Sequence, residues 1–283
     1  MPRHEDGKPV DPALYDGSYF LRHCGGHEVY RRSRGGELDP RLAIVLQLAD
    51  IRPSMRVLDL GCGRGELVRH CGERGALCWG LDLAPDALAL SSQTLRAAVK
   101  TTHGVALCRA AGERVPFDPG CFHRVILSDI LEHLTPVQLR GTLAEVHRVL
   151  APGGRAVFHT FPNRWFYQAY YRFKRLLWDL PRGKAGPRNP RTPCERAMHV
   201  NELSPLSLRR ALRPHFSVRI WCAHRDRWDP SGGRFPSGGR LIDWIREPEI
   251  WGVATKTAGD KLKSVAHRRY NDRRAANRGD ASH

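Results

Sequence analysis

Two groups of residues in this chain have types and spacings that could do chemistry. The first is Asp59-Leu60-Gly61-Cys62-Gly63-Arg64-Gly65-Glu66, in which three glycines alternate with larger residues between two carboxylates. Glycine at alternate positions lets the backbone take positive φ and lets a flat ligand lie against bare main chain at Gly61 and Gly63. The Glu66-Leu67-Val68 that follows reads as a helix start, whose unpaired N–H groups suit polar ligand groups. Asp82 lies about 20 residues further on, where the end of a second strand approaches a ribose. A carboxylate there can accept from both vicinal hydroxyls. The second group is Asp129, Glu132 and His133, at i, i+3 and i+4, which a helical turn would bring to one face. On one reading His133 is a general base, since its ordinary pKa is near neutrality. On another these residues bind a divalent cation, with His199 as a later ligand. On a third, Glu132 and His133 only cap and orient the local helix.

The elements that must position these residues alternate along the chain. Helical spacing over Leu42–Leu48, behind Asp39-Pro40, leads through Pro53 to an apolar strand, 57–60. A helix over 66–74 precedes a second strand, 76–82, and a helix from Pro85 to Ala97 has its proline at an early position, where the missing N–H costs nothing. Strands are expected at 105–108, 122–127 and 155–160, with an amphipathic helix over 136–150. Alternating β and α units imply a mostly parallel sheet with helices on both faces.

A dinucleotide fingerprint would place its third glycine at 66 and a pyrophosphate on the helix end. Here Glu66 stands at that position and would repel a pyrophosphate, while Asp59 suits a cationic group such as the amino group of an amino acid. The run Asp59-Leu60-Gly61-Cys62-Gly63-Arg64-Gly65 resembles the D-x-G-x-G-x-G first motif of class I S-adenosylmethionine (SAM) methyltransferases of the type 11-like kind. Leu131-Glu132-His133-Leu134 resembles the x-x-L-E-H-L segment of that family, and Leu150 to Gly154 its L-x-P-G-G turn. The layout around Glu132 and His133 is similar to that of metal-dependent quinone-pathway O-methyltransferases and small-RNA 2'-O-methyltransferases. The resemblance covers about residues 40 to 160, with a weaker continuation to about 256. It implies a Rossmann-like seven-stranded sheet whose last two strands, 216–221 and 249–254, are antiparallel at the edge. It further implies cofactor contacts at Asp59, Gly61, Cys62, Gly63, Gly65, Asp82, Leu83, Gly112, Glu113 and Ser128, and catalytic roles for Asp129, Glu132 and His133. One departure stands out. The adenine-side loop, Ala110-Ala111-Gly112-Glu113-Arg114-Val115-Pro116-Phe117, has Ala111 where the family usually places an aspartate, so backbone at Gly112 or Glu113, or packing alone, is left to hold the base.

The chain has 283 residues and a net charge of +17. Residues 1–160 hold 20 Lys and Arg against 18 Asp and Glu, and the rest hold 26 against 11. The later half could therefore attract nucleic acid, a phosphorylated metabolite or an anionic membrane surface. The eight cysteines are scattered with no C-x-x-C pair, which favours reduced thiols over a disulfide framework. No apolar stretch approaches the roughly 20 residues that span a bilayer, and the polar first residues carry no signal region, so a cytoplasmic enzyme is expected.

The expected organisation is an N-terminal lid or extension over 1–39, with Tyr19 and Tyr30 as lid residues or core packing. A methyltransferase domain follows over 40–256, interrupted by an inserted helical lid at about 163–200. A basic, disordered tail is expected over 257–283. The insertion opens on Phe161-Pro162-Asn163-Arg164-Trp165 and carries Phe166, Tyr170, Phe173 and Leu177 at helical spacing beside Arg172, Lys174 and Arg175. It could stack on an aromatic or lipid-like acceptor and draw in an anionic group. The expected activity is methyl transfer from SAM to an O or N acceptor of a small molecule, lipid or glycan precursor. The alternatives are an RNA methyltransferase, an NAD(P)-dependent oxidoreductase and a non-catalytic SAM-fold binding protein.

Overall fold

The computed structural model describes residues 8–98, 104–184, 186–233, 235 and 241–257. The basic tail expected over 257–283 lies outside the described residues apart from its first position. Seven strands form one sheet: β1 Arg56–Leu60, β2 Leu77–Asp82, β3 Val105–Arg109, β4 Phe122–Ser128, β5 Leu150–Thr160, β6 Phe216–Cys222 and β7 Ile250–Lys256. Their order is β3-β2-β1-β4-β5-β7-β6. The first five run parallel, and β7 pairs antiparallel with both β5 and β6.

Side chains alternate across this sheet with the two-residue period of a strand. Leu58 and Leu60 of β1, Val125 and Leu127 of β4, and Ala156 and Phe158 of β5 join one buried cluster. Their neighbours Val57, Ile126 and Val157 join another on the opposite face. Helix α6 (Pro136–Val149) covers the first face with Leu139, Leu143 and Val146. Helices α3 (Pro40–Ala49) and α4 (Glu66–Glu73) cover the second with Val45, Leu46, Val68 and Cys71. Local chemistry sets the helix starts: Asp39 caps α3 ahead of Pro40, and Thr135 and Gln138 form a reciprocal capping box at α6. Helix α5 (Pro85–Arg96) lies between β2 and β3 in the chain and meets two short N-terminal helices, α1 (Gly17–Arg22) and α2 (His27–Ser33). Phe20 of α1 packs there on Ala87 and Leu90 of α5.

Two expectations need correction, and a third, the helical insertion, takes a more specific form. The L-x-P-G-G stretch is not a turn ahead of β5. Leu150 already pairs with Phe122, and a register shift follows before Arg124 pairs with Arg155. The segment after β4 forms only a single 3₁₀ turn, Leu131–His133, because Asp129 takes φ of 53° and breaks the path of a helix. The insertion is a continuous helical rod from Phe166 to Arg182, with π turns at 166–170 and 175–179 around α7 (Tyr171–Lys174), and none of its residues is buried. Its base is rooted in the domain: the Asn163 side chain donates to the carbonyls of Trp244 (2.7 Å) and Glu247 (2.9 Å), and the Arg164 amide to Leu203. After the rod the chain returns through α8 (Pro193–Met198) to α9 (Pro205–Leu212) and ends with a short helix, α10 (Asp243–Arg246), before β7.

Candidate functional site

In an open sheet of this order, β1 and β4 are neighbours whose connections leave in opposite directions, which opens a crevice at their carboxyl ends. A cavity of about 740 Å³ lies there. Both groups of residues singled out in the sequence line it, from the glycine loop after β1 to the 3₁₀ turn after β4. The amides of Gly61 and Cys62 donate to the Leu81 carbonyl at 2.7 and 3.0 Å, so the loop is stitched to the end of β2. A Cβ on Gly63 would meet nothing nearer than the Phe20 ring at 3.7 Å, and this is where bare main chain faces the cavity. The other two glycines serve packing. A Cβ on Gly61 would strike Ile130 at 2.7 Å, and one on Gly65 would strike Ser91 at 2.8 Å. Gly65 therefore seats α5 against the loop and does not line the cavity.

Asp82 ends β2 with its carboxylate held in place. Its Oδ2 accepts from the Gly63 amide at 3.0 Å and its Oδ1 from the Ala84 amide at 2.9 Å. Those bonds fix both oxygens at the cavity edge. Burial raises its pKa, and the amides of Ala84, Gly63 and Leu83 pull the other way. Asp59 is 2% exposed, and burial, with Asp82 and Glu66 nearby, pushes its carboxyl up to about 8. A cationic ligand group beside Asp59 would reverse that shift. Glu66 is not the bare carboxylate the sequence implied. Buried Arg64 pairs with it, Nε to Oε2 at 3.0 Å, so repulsion of a pyrophosphate by Glu66 is offset and does not by itself exclude a dinucleotide. Cys62 is buried, and burial raises its thiol well above the ordinary value, which leaves it a small wall residue. All eight cysteines are free. Leu83, Ala111, Gly112 and Glu113 line the far edge of the same cavity.

The N-terminal segment closes one side. Arg64 Nη1 donates to the Phe20 carbonyl at 2.9 Å and Nη2 to the Gly25 carbonyl at 2.7 Å, while its guanidinium sits 4.9 Å over the Tyr30 ring. Tyr30 is a packing residue, its hydroxyl 3.0 Å from Thr94 Oγ1. Tyr19 lines the cavity as expected of a lid residue, and so does Tyr15, stacked edge-on against Tyr19 and 5.8 Å from the His133 ring.

At the other end, Asp129 parts company with Glu132 and His133. Its carboxylate is taken by Arg41 Nη1 and His159 Nδ1, both at 2.6 Å, and against the upward push of burial the Arg41 guanidinium and these contacts hold its pKa well below the usual carboxylate range. Ser128 lines the cavity and donates its hydroxyl to Asp129 Oδ2. Asp129 is thus an ion-pair partner, because the turn at φ of 53° aims it back under the sheet end instead of along a helix face. Glu132 is buried, accepts from Thr160 Oγ1 at 2.8 Å, and is pushed up to about 8 by burial and by Asp129. His133 is lowered to about 3 by burial and by His199, and the hydrogen bond the ring donates to the Met198 carbonyl acts against that shift. Its Nδ1 and that of His199 are buried without a hydrogen-bond partner, and the two rings meet edge-on at 5.0 Å. Glu132, His133 and His199 each offer one ligand atom within 4.8 Å of the others, so these three, without Asp129, could close on a cation.

Arg41, Arg64 and His159 were not anticipated. Each carries a faint signal in the sequence: Arg41 interrupts the apolar face of α3, Arg64 sits inside the glycine loop, and His159 falls in the apolar strand Ala156-Val157-Phe158.

A glycine loop, an acid closing β2 and a crevice at the reversal of strand order are the arrangement in which open α/β sheets hold their ligands. Comparison with known proteins narrows the class. Residues 57–154 match a methyltransferase domain model. An uncharacterized methyltransferase of Synechocystis is 38% identical over 104 residues, covering 37% of this chain and 46% of that protein. A ubiquinone/menaquinone biosynthesis C-methyltransferase of Cupriavidus metallidurans is 34% identical over 140 residues, covering 46% of this chain and 54% of the relative. The chain therefore spans about half the length of these curated relatives. Among solved structures, a complex between the Haloferax volcanii Trm112 methyltransferase activator and a methyltransferase aligns with a TM-score of 0.56 at 17% identity, covering 85% of this chain and 97% of that one. A Pyrococcus horikoshii protein aligns with a TM-score of 0.55 at 17% identity, covering 85% and 96%. Residues 57–154 are thus similar to a methyltransferase domain, and the sheet that contains them has the fold of the aligned structures.

Proposed function

We propose that the chain transfers a methyl group from SAM to an oxygen or nitrogen of a small molecule, lipid or glycan precursor. The observation that carries this reading is one cavity with a carboxylate pair, Asp59 and Asp82, at one end and the unpartnered imidazole nitrogens of His133 and His199 at the other. SAM supplies a methyl carbon already activated by its sulfonium, so the protein's task is alignment and exclusion of water. Asp82, held by two amides, would accept from the ribose hydroxyls. Asp59 would take the ammonium, with the bare face of Gly63 beneath it. Leu83, Gly112 and Glu113 would flank the adenine, and packing would replace the aspartate absent at Ala111.

Burial pushes the Glu132 carboxyl up and the His133 imidazole down, so both favour their neutral forms. An oxygen acceptor becomes strongly acidic as its bond to the methyl group forms, and can then pass its proton to His133 Nδ1 although burial makes that imidazole a weak base. The positive charge then moves from the sulfur side of the cavity to the imidazole, so no new charge is created in the buried site. The ring walls of Tyr15, Tyr19 and Phe161 suit an aromatic or apolar acceptor. A second reading, a divalent cation on Glu132, His133 and His199 that acidifies an acceptor hydroxyl, is favoured by the 4.8 Å grouping. An untargeted product search with isotopically labelled methyl donor, run with and without chelator, tests both. Saturable binding of NADH with none of S-adenosylhomocysteine would refute methyl transfer.

A further inference from the structure

The helical rod from Phe166 to Arg182 leaves its apolar side chains uncovered. Phe173, Leu176, Leu177, Trp178 and Leu180 are 65%, 59%, 55%, 61% and 51% exposed, and they are five of the twelve large exposed hydrophobics among the described residues. Phe173, Leu176, Leu177 and Leu180 stand at i, i+3, i+4 and i+7, one stripe along the rod. Contiguous apolar surface of this kind marks an interaction site.

The chemistry around the stripe says what covers it. Residues 161–200 hold nine Lys and Arg against two Asp and Glu. The loop after the rod folds back along it, tied by the Tyr171 hydroxyl to the Pro187 carbonyl and by Arg175 Nε to the Gly186 carbonyl, both at 2.8 Å. A groove forms between them, lined by Arg172, Arg175, Leu176, Arg188 and Arg191. Arg191 is paired with Glu202, but Arg172, Arg175 and Arg188 have no acidic partner among the described residues. At the rod's end the Arg182 guanidinium lies 4.0 Å over the Trp178 ring.

We propose that this insertion docks the protein on an anionic lipid bilayer, with the Phe173–Leu180 stripe in the headgroup boundary and the arginine groove on lipid phosphates. A helix carrying Trp, Phe and Leu on one face and Arg and Lys beside them lies in the plane of such an interface. Arginine forks match phosphate oxygens in pairs. A protein partner of matching charge would have to be acidic and apolar at once, whereas an anionic bilayer offers both at the depth of one helix. The loop that folds back along the rod leads into α8, whose Cys194, Glu195 and Met198 line the 740 Å³ cavity, so docking sets that mouth near the membrane surface. This inference does not depend on which atom is methylated.

Co-sedimentation of the full chain with vesicles tests it. Vesicles mixing phosphatidylcholine with phosphatidylglycerol should carry the protein down, and pure phosphatidylcholine vesicles should not. Each basic residue near an anionic surface contributes enough that replacing Arg172, Arg175 and Arg188 together by Ala should weaken partitioning roughly a hundredfold. Leu177→Glu with Trp178→Glu should abolish it, while Val137→Glu, at an exposed apolar position on α6, should leave it unchanged. S-adenosylhomocysteine titrations on every variant show that the cofactor seat stays intact, which separates failure of docking from failure of the methyl-transfer reading. Absence of sedimentation with anionic vesicles, or sedimentation indifferent to the arginine replacements, overturns the proposal. So does saturable binding of inorganic phosphate, or of an RNA homopolymer, by a protein that leaves the vesicles untouched.

Discussion

Asp59→Asn isolates the part of the proposed cofactor seat whose behaviour the structure makes quantitative. In the free protein the Asp59 carboxyl titrates at about 8, raised first by burial and then by Asp82 and Glu66. At pH 6 only about one molecule in a hundred carries the ionised form, and at pH 8 about half do. If Asp59 receives the ammonium of the ligand, only the ionised form binds well. Affinity for S-adenosylhomocysteine should then rise about fiftyfold between pH 6 and pH 8, with nearly one proton released per binding event at pH 6. Isothermal titration in two buffers of different ionisation enthalpy reads both quantities. In Asp59→Asn the affinity should be weak and flat over this range, with proton release lost.

The same shift has a counterpart in stability. A carboxyl whose folded pKa lies above its unfolded value stabilises the fold fully below the unfolded pKa. That contribution is lost as pH rises through the folded pKa. Glu132, also raised to about 8, acts in the same window, so denaturation alone cannot single out Asp59. Ligand affinity can. A wild-type affinity independent of pH between 6 and 8, or an equal pH dependence in Asp59→Asn, would refute the assignment.

The remaining predictions concern the neighbouring groups. Asp82→Asn should weaken S-adenosylhomocysteine about ten- to a hundredfold by calorimetry, the loss of one charge-assisted hydrogen bond, and unchanged affinity would remove Asp82 from the ribose. Arg41→Ala leaves Asp129 buried with only His159 and the Ser128 hydroxyl and should cost about 3–5 kcal/mol in urea denaturation; a loss under 1 kcal/mol would show the pair to be dispensable. Because Asp129 is depressed, its contribution is present above the ordinary carboxylate pKa and fades as pH falls toward the folded value, so the wild type should lose stability in acid more steeply than Arg41→Ala. His133→Gln should lower turnover while S-adenosylhomocysteine affinity stays within about twofold, and restored turnover on adding a divalent cation to wild type stripped by chelator would favour the cation reading.

The sheet and the cofactor side were legible in the sequence because they are written in local terms. Strands read as apolar runs, Asp39-Pro40 and Thr135-Pro136 mark helix starts, and a ligand recognised by main chain needs glycine, which leaves a trace whatever its neighbours are. Even there the trace is mixed: Gly61 and Gly63 both line the cavity, but Gly61 and Gly65 are also required by Ile130 and Ser91, side chains 69 and 26 positions away. The acceptor side is written in long-range pairs instead. Asp129 looked like a member of a helical triad, and only the fold brings Arg41 and His159 to it.

That exchange of partners explains how two carboxylates three residues apart acquire opposite states. Asp129 meets a permanent cation and stays ionised; Glu132 meets a hydroxyl, an amide and the charge of Asp129, and holds its proton. Burial first, and the charge on Asp129 second, keep Glu132 neutral, while Arg41 partly screens that charge. A neutral Glu132 leaves His133 Nδ1 as the open proton acceptor at that end of the cavity. The prediction that follows is specific. Arg41→Lys, which keeps the charge but not the planar fork, should preserve the protonated Glu132, seen as a carboxylic C=O band in difference infrared spectra near neutral pH. In Arg41→Ala, Asp129 loses its main counter-charge, yet a pKa rising toward the ordinary range still leaves it ionised near neutral pH, so its Coulombic push on Glu132 is less screened and the band should titrate at higher pH. A band that titrates alike in wild type and Arg41→Ala would show that burial alone, not Asp129, protonates Glu132.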